Sequence, residues 1–377
     1  MELYLVRPGD TLPALGRRCG STAEALAAMN QLGDPGRLLP GQTLLLPGGQ
    51  AEERQEILVN AYVRPGVSRA ALCRTLPSLS TLCPFSCRLS AAGELIGEDG
   101  AALSAQALDA GVAPLLTVSN LGESGGFSSD LAHALFTDQT VQDRAIDAIL
   151  RALDETPWAG VDLHFAYVYP FDRDGYNRFL RRLSEKLHER GRYLATALAP
   201  KENAGQEGLL YSAHDYAAHG RWADWVVLMT CDWGHCGSAP QAISPVDRIR
   251  RVLDYALTQM SASSILLGFS NGGCRWRLPW RQGDEAAPIA NAAAVELAVA
   301  AGAELRFDGC AQAPWFTCTD GLGRRSVVWF EDLRSVEARF RLVREYGLAG
   351  LSWWTADRPY LPALLLQQAL FDVAKLR

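Results

Sequence analysis

Asp162, His164 and Ala166 alternate along the run Gly160–Val168 (GVDLHFAYV), and a period of two puts them on one face of an extended strand, with Leu163, Phe165 and Tyr167 on the other. A carboxylate and an imidazole are residue types of general acid–base work. If the strand lines a β/α barrel, this face points inward and its last member sits at the mouth, where barrel active sites are built. On residue types alone, a buried strand with one satisfied histidine is the plainer reading. Cysteine and histidine offer a second chemistry. Cys87, His164, Cys231 and Cys274 fall near expected strand ends, and Cys231, His235 and Cys236 lie close in sequence. Thiolate and imidazole suit zinc. No pair has the spacing of a strong zinc motif, and buried cysteines commonly pack as small hydrophobes, so no metal or cofactor is expected.

The 377 residues suffice for one large domain and a small one, and 48% hydrophobic with 21% charged residues is ordinary for a globular chain. A formal charge of −6 argues against a nucleic-acid binder, and Arg17-Arg18, Arg181-Arg182 and Arg250-Arg251 are isolated pairs suited to solvated helix faces. The start, MELYLVRPGD, has no basic segment followed by an apolar core, and no apolar run reaches membrane-spanning length. A cytoplasmic origin is expected. Nine cysteines without a secreted disulfide framework fit a reducing compartment.

Residues 1–48 read as a small module: a strand at Tyr4–Val6, a turn at Pro8–Thr11 with Asp10 or Thr11 capping a helix, a second helix opened by Ser21-Thr22, and a closing strand Thr43–Leu46. Residues 49–55 form a polar linker. From residue 56, short apolar runs alternate with helical patterns, which predicts a parallel (β/α)8 barrel over 56–377. Its strands are expected at Ile57–Val63, Cys83–Ser86, Ala113–Asn120, the Gly160 run, Tyr193–Ala199, Trp225–Thr230, Ile265–Phe269 and Leu348–Trp354. About 303–332 breaks the alternation and reads as a small α+β insertion between strands seven and eight.

Residues 1–48 resemble a LysM module: Tyr4-x-Val6-x-x-Gly9-Asp10-Thr11-Leu12, a central Asn30, then Leu38-x-Pro40-Gly41-Gln42-x-Leu44-x-Leu46-Pro47. The resemblance implies a βααβ fold that binds N-acetylglucosamine chains of peptidoglycan or chitin. Its groove would lie between the loop of Asp10, Thr11 and Leu12 and the loop of Leu39, Pro40 and Gly41. A module that only mediates assembly is the plainer alternative.

The run at Gly160 resembles the signature strand of glycoside hydrolase family 18, GVxIDFEYV. The likeness is narrower toward the branch with N-terminal LysM modules, the spore cortex-lytic N-acetylglucosaminidases of endospore formers. It is carried by Pro84-Phe85-Ser86, Phe127–His133, Ala197–Lys201, Ala213–Gly220, Leu228-Met229-Thr230 and Val328–Asp332. This branch is made in the mother cell and laid onto the spore coat and cortex. It implies a peptidoglycan ligand, with spore coat proteins as further partners.

The family's chemistry needs a glutamic acid to protonate the leaving oxygen, and an aspartate to orient the substrate acetamido group that attacks the anomeric carbon. Ala166 and His164 stand at those positions. Met229-Thr230-Cys231-Asp232-Trp233-Gly234 and Ser270–Trp276 likewise lack the family's tyrosines, whereas Asp162, Met229, Asp232 and Trp354 match it and are the expected sugar-binding residues. The scaffold is kept and the polar site rebuilt.

Three readings follow. One is a non-catalytic glycan-binding barrel; another is an active N-acetylglucosaminidase with a displaced acid, from Asp232, Asp172 or His164; the third is a metal-binding barrel on Cys87, His164, Cys231 and Cys274. Trp276 and Trp280 would stack on sugar if exposed at the mouth, whereas Trp329, Phe330 and Trp353 suit a core. His133, His214 and His219 suit structural roles. Cys310 and Cys318 flank an expected hairpin and could bridge in an oxidising setting.

Overall fold

Eight parallel strands close on themselves. In the computed structural model, which describes residues 1–49, 53–97, 100–231 and 233–376, they are β1 (Gln55–Val63), β2 (Thr81–Pro84), β3 (Ala113–Ser119), β4 (Gly160–His164), β5 (Tyr193–Leu198), β6 (Trp225–Leu228), β7 (Ile265–Ser270) and β8 (Gly350–Trp354). Each pairs with the next, and β8 returns to β1 through Leu351↔Val59 and Ser352↔Asn60. Alternation sorts the side chains. Val161, Leu163 and Phe165 join the large apolar layer between strands and helices, whereas Tyr62, Leu115, Ala197, Val227 and Leu266 fill the barrel interior.

The β4 strand ends at His164, two residues before the expected alternation reaches Ala166. Beyond it, side chains replace the neighbouring strands as partners. His214 Nε2 meets the Phe165 carbonyl at 3.0 Å, Asn120 holds both backbone groups of Ala166, and Tyr167 turns the chain with φ 54°. Since His214 Nδ1 accepts the Ala199 N–H at 2.8 Å, its proton sits on Nε2 and is donated to Phe165.

The excursion between β7 and β8 is larger than the 303–332 segment marked by sequence. It is a five-stranded antiparallel sheet in the order Ala287–Ala290, Gly272–Arg277, Arg325–Trp329, Ala313–Thr319, Arg306–Asp308. Helix Asn291–Ala301 lays Ala294 and Ala298 against Phe316, Val328 and Phe330.

In the N-terminal module, strands Glu2–Leu5 and Thr43–Leu46 pair antiparallel around helices Leu12–Cys19 and Ala23–Met29. Thr11 caps the first helix and Thr22 the second. Asn30 ties helix to strand, accepting from Leu45 N at 2.7 Å and donating to the carbonyls of Leu26 and Leu45 at 2.9 Å each. Strand Thr43–Leu46 is buried on both faces. Leu44 and Leu46 enter the module's own core, whereas Leu45 belongs to the barrel's apolar layer and Thr43 Oγ1 donates to the buried Asp332 at 2.9 Å. Gln31 clamps the chain before helix Leu361–Leu370, accepting from Leu361 N and donating to Pro359 O. Among the described residues, no helix is long and apolar enough to cross a membrane.

Candidate functional site

A cleft of about 640 Å³ opens at the C-terminal end of the barrel. Every strand, or the turn following it, contributes a wall: Tyr62, Phe85, Leu121, His164, Pro200, Val227, Gly268 and Trp354, from β1 to β8 in turn. Loops add Phe127, Tyr211, Trp233 and His235. Ala166 and Met229 line the same space, so the cleft brings His164, Ala166, Met229 and Trp354 together. No aspartate or glutamate occurs among the described residues lining this cleft. Asp232, an expected sugar ligand and candidate acid, lies outside the described residues.

His164 occupies an aromatic box. Its ring stacks on Phe127 at 5.8 Å and 12°, meets Tyr62 and Phe85 edge-on at 5.3 and 5.0 Å, and lies 6.2 Å from Trp354. Burial, with a smaller push from His214, lowers its pKa to about 3, so the imidazole is neutral at physiological pH. It supplies no charge to offset an oxazolinium. Ala166 presents only a methyl group to the cleft, with no proton to give.

Asp162 does not line the cleft. It lies two residues back along β4, roughly 7 Å below His164, is fully buried, and accepts from Tyr62 Oη at 3.2 Å. Burial raises its pKa to about 7, with the hydrogen bond from Tyr62 opposing the rise. Its position corrects the expectation of direct sugar contact: it is a buried link between β1 and β4. Asp172 is also removed from the cleft, held by His133 Nδ1 at 2.9 Å at the start of helix Arg173–His188.

The metal reading meets a correction as well. Among the described residues, no group of three His, Cys, Asp or Glu side chains could hold a metal ion. Cys274 is instead disulfide-bonded to Cys236, with Cα atoms 5.7 Å apart. Cys87 is half-buried beside Gly97 and Cys231 is buried in the cleft wall. A disulfide also departs from the expectation that all nine cysteines suit a reducing compartment. Cys310 is exposed and Cys318 buried, and they form no bridge.

The disulfide fastens the loop after β6, which gives Trp233, His235, Ser238 and Gln241 to the cleft, onto the first strand of the inserted sheet. Trp276 reinforces it, donating Nε1–H to Ser238 O at 2.7 Å. Trp276 is fully buried, so the exposure that sugar stacking would require is absent there, and half-buried Trp280 donates to Asp284 O away from the cleft. Trp353 and Phe330 are core, as their types suggested, and half-buried Trp329 stacks on Trp315.

In the N-terminal module, Leu12 is 1% exposed and belongs to its core, so it offers no surface to a glycan. Asp10 accepts from Tyr4 Oη and Arg7 N, Thr11 is a helix cap, and Pro40 is exposed. Leu39 packs against the apolar cluster of the inserted sheet that includes Phe316, and Arg334, in helix Leu333–Tyr346, donates to Gly41 O at 3.4 Å. The second rim of the expected groove therefore rests on the chain's own barrel.

Comparison with known proteins agrees with this architecture. Residues 105–358 match the model for glycosyl hydrolases family 18 and residues 4–47 that for the LysM domain. The cortical fragment-lytic enzyme of Bacillus subtilis (strain 168) is 35% identical over 100% of this chain and 99% of that protein. The crystal structure of the Bacillus cereus spore cortex-lytic enzyme SleL superposes with a TM-score of 0.83 at 34% identity, covering 99% of this chain and 87% of that one. A chitinase from Chromobacterium violaceum, 24% identical over 83% of this chain and 99% of its own with a TM-score of 0.77, shares the fold.

Proposed function

Because the chain belongs to glycoside hydrolase family 18 and carries an N-terminal LysM domain, we propose that it binds N-acetylglucosamine-containing peptidoglycan at the spore without cleaving it. The observation that carries this reading is the lining of the cleft. A methyl group stands at the acid position, a neutral boxed histidine stands two residues before it, and no described lining residue is a carboxylate. Loss of a general acid alone costs on the order of 100- to 10,000-fold in rate, and the missing aspartate compounds it. The space for a sugar survives: about 640 Å³ of cleft with the indole of Trp354 and the thioether of Met229 on its walls. Apolar sugar faces stack on such an indole.

Spore association draws on the relatives, whose names place them among cortical and spore cortex-lytic enzymes. Co-sedimentation with purified spore peptidoglycan tests the binding half of the proposal. The native chain is expected in the pellet and Trp354→Ala largely in the supernatant; a native chain that stays in solution contradicts it.

A further inference from the structure

A second chamber of about 190 Å³ adjoins the cleft and shares Cys231, His235 and Trp354 with it. Two arginines line it, Arg64 from the end of β1 and Arg358 from the loop after β8, and no described lining residue is an aspartate or glutamate. In a chain of net charge −6 this is a local reversal of sign. The two cations differ. Arg64 is neutralised from behind, its Nη2 and Nε donating to Asp357 Oδ2 at 2.7 and 3.2 Å. The Arg358 guanidinium has neither a hydrogen bond nor an ion pair among the described residues, while its backbone is pinned by Asn271 Nδ2 donating to Arg358 O at 2.6 Å. Ile243, Ile289 and the Cys236–Cys274 disulfide give the same chamber an apolar wall.

We propose that this chamber receives a carboxylate carried by the glycan, as the lactyl ether of a muramic residue or the peptide attached to it, while the neighbouring N-acetylglucosamine lies against Trp354. The inference rests on the glycan-binding reading above and adds a discrimination to it. A planar guanidinium with unused N–H groups matches a carboxylate by charge and by geometry. The apolar wall suits the lactyl methyl group. A neutral chitin chain gains nothing from Arg358, so the chamber separates peptidoglycan from chitin.

Calorimetric titration of the full chain with two probes of equal sugar count, a muropeptide tetrasaccharide and chitotetraose, tests this. The native protein is expected to favour the acidic probe by roughly three- to tenfold at low ionic strength, the range of an exposed charge-assisted contact. The preference shrinks in high salt and is lost in Arg358→Gln, an exposed position whose replacement leaves the packing intact. Arg64→Gln reduces it less, because Asp357 already offsets that charge. Equal native affinity for the two probes overturns the inference and leaves glycan binding standing, as does a preference that survives both replacements. Binding of neither probe overturns both.

Discussion

The side-chain amide of Asn120 grips Ala166 from both sides, Oδ1 accepting the Ala166 N–H at 3.0 Å and Nδ2 donating to the Ala166 carbonyl at 2.8 Å. The backbone of Ala166 in the cleft wall is thus tied to the end of β3 rather than to a neighbouring strand. Asn120→Ala leaves two buried backbone groups without partners, and is expected to lower unfolding stability by about 2–4 kcal/mol in a urea titration. A loss below the experimental error contradicts a clamp of this kind.

The Cys236–Cys274 bridge closes a segment with a sequence separation of 38. Chain-entropy reasoning sets its contribution at up to about 4 kcal/mol. Cys274→Ser is expected to lower the melting temperature and weaken glycan affinity together, since the loop it fastens forms one wall of the cleft. Thiol titration of the unfolded native protein, before and after reduction, checks the premise: reduction should release two further thiols. Equal counts contradict it.

The barrel was legible because inner strands read as short apolar runs and because period-two alternation separated Asp162 and His164 from Leu163 and Phe165. The inserted sheet was only half legible. Gly272–Arg277 carries two arginines and two glycines, and Ala287–Ala290 contains Pro288, so neither run has the composition of a strand. Trp276, a sugar platform only if exposed, consequently could not be recognised as core. The docking of the N-terminal module has its signal in the sequence, since Leu44-Leu45-Leu46 is apolar without alternation, the mark of a strand buried on both faces. The disulfide had no signal, because Cys236 and Cys274 are brought together by topology and not by spacing.

That docking leads to a further expectation. Thr43 Oγ1 and Asp332 meet in a buried contact between module and barrel, and Leu45 lies within the barrel's apolar layer. The module and barrel are expected to unfold in one transition by calorimetry. Thr43→Ala lowers the whole transition by about 1 kcal/mol, the worth of one hydrogen bond, since Asp332 keeps Arg334 Nε at 3.0 Å and Ser335 N at 2.9 Å. A separate early transition for residues 1–48 contradicts the contact's role.

The buried histidines set the acid limb of stability. His164 titrates at about 3 when folded and near 6.5 when unfolded, so the unfolded chain binds the extra proton between those values. Its contribution is present above about pH 6.5 and lost as the pH falls through 3. His214, lowered to about 4, and His219, lowered to about 3, both by burial, act in the same sense. Asp162 and Glu331, each raised to about 7 by burial, act in the opposite sense, withdrawing stability as the pH rises from the unfolded carboxylate value through 7. His164→Phe keeps a ring in the aromatic box and removes one titrating group. The slope of unfolding free energy against pH, measured between about pH 6 and about pH 4, is expected to fall by up to about 1.4 kcal/mol per pH unit. An unchanged slope contradicts a neutral His164.

Turnover of spore peptidoglycan fragments, followed by released reducing ends with binding measured on the same samples, tests most directly whether the cleft holds a glycan without cutting it. The native chain should bind without release, while the double replacement Ala166→Glu with His164→Asp, which places an acid and a charge on the cleft wall, should release product. Clear release by the native chain, beyond any trace left by a preparation lacking it, would contradict the claim and assign the acid to another residue.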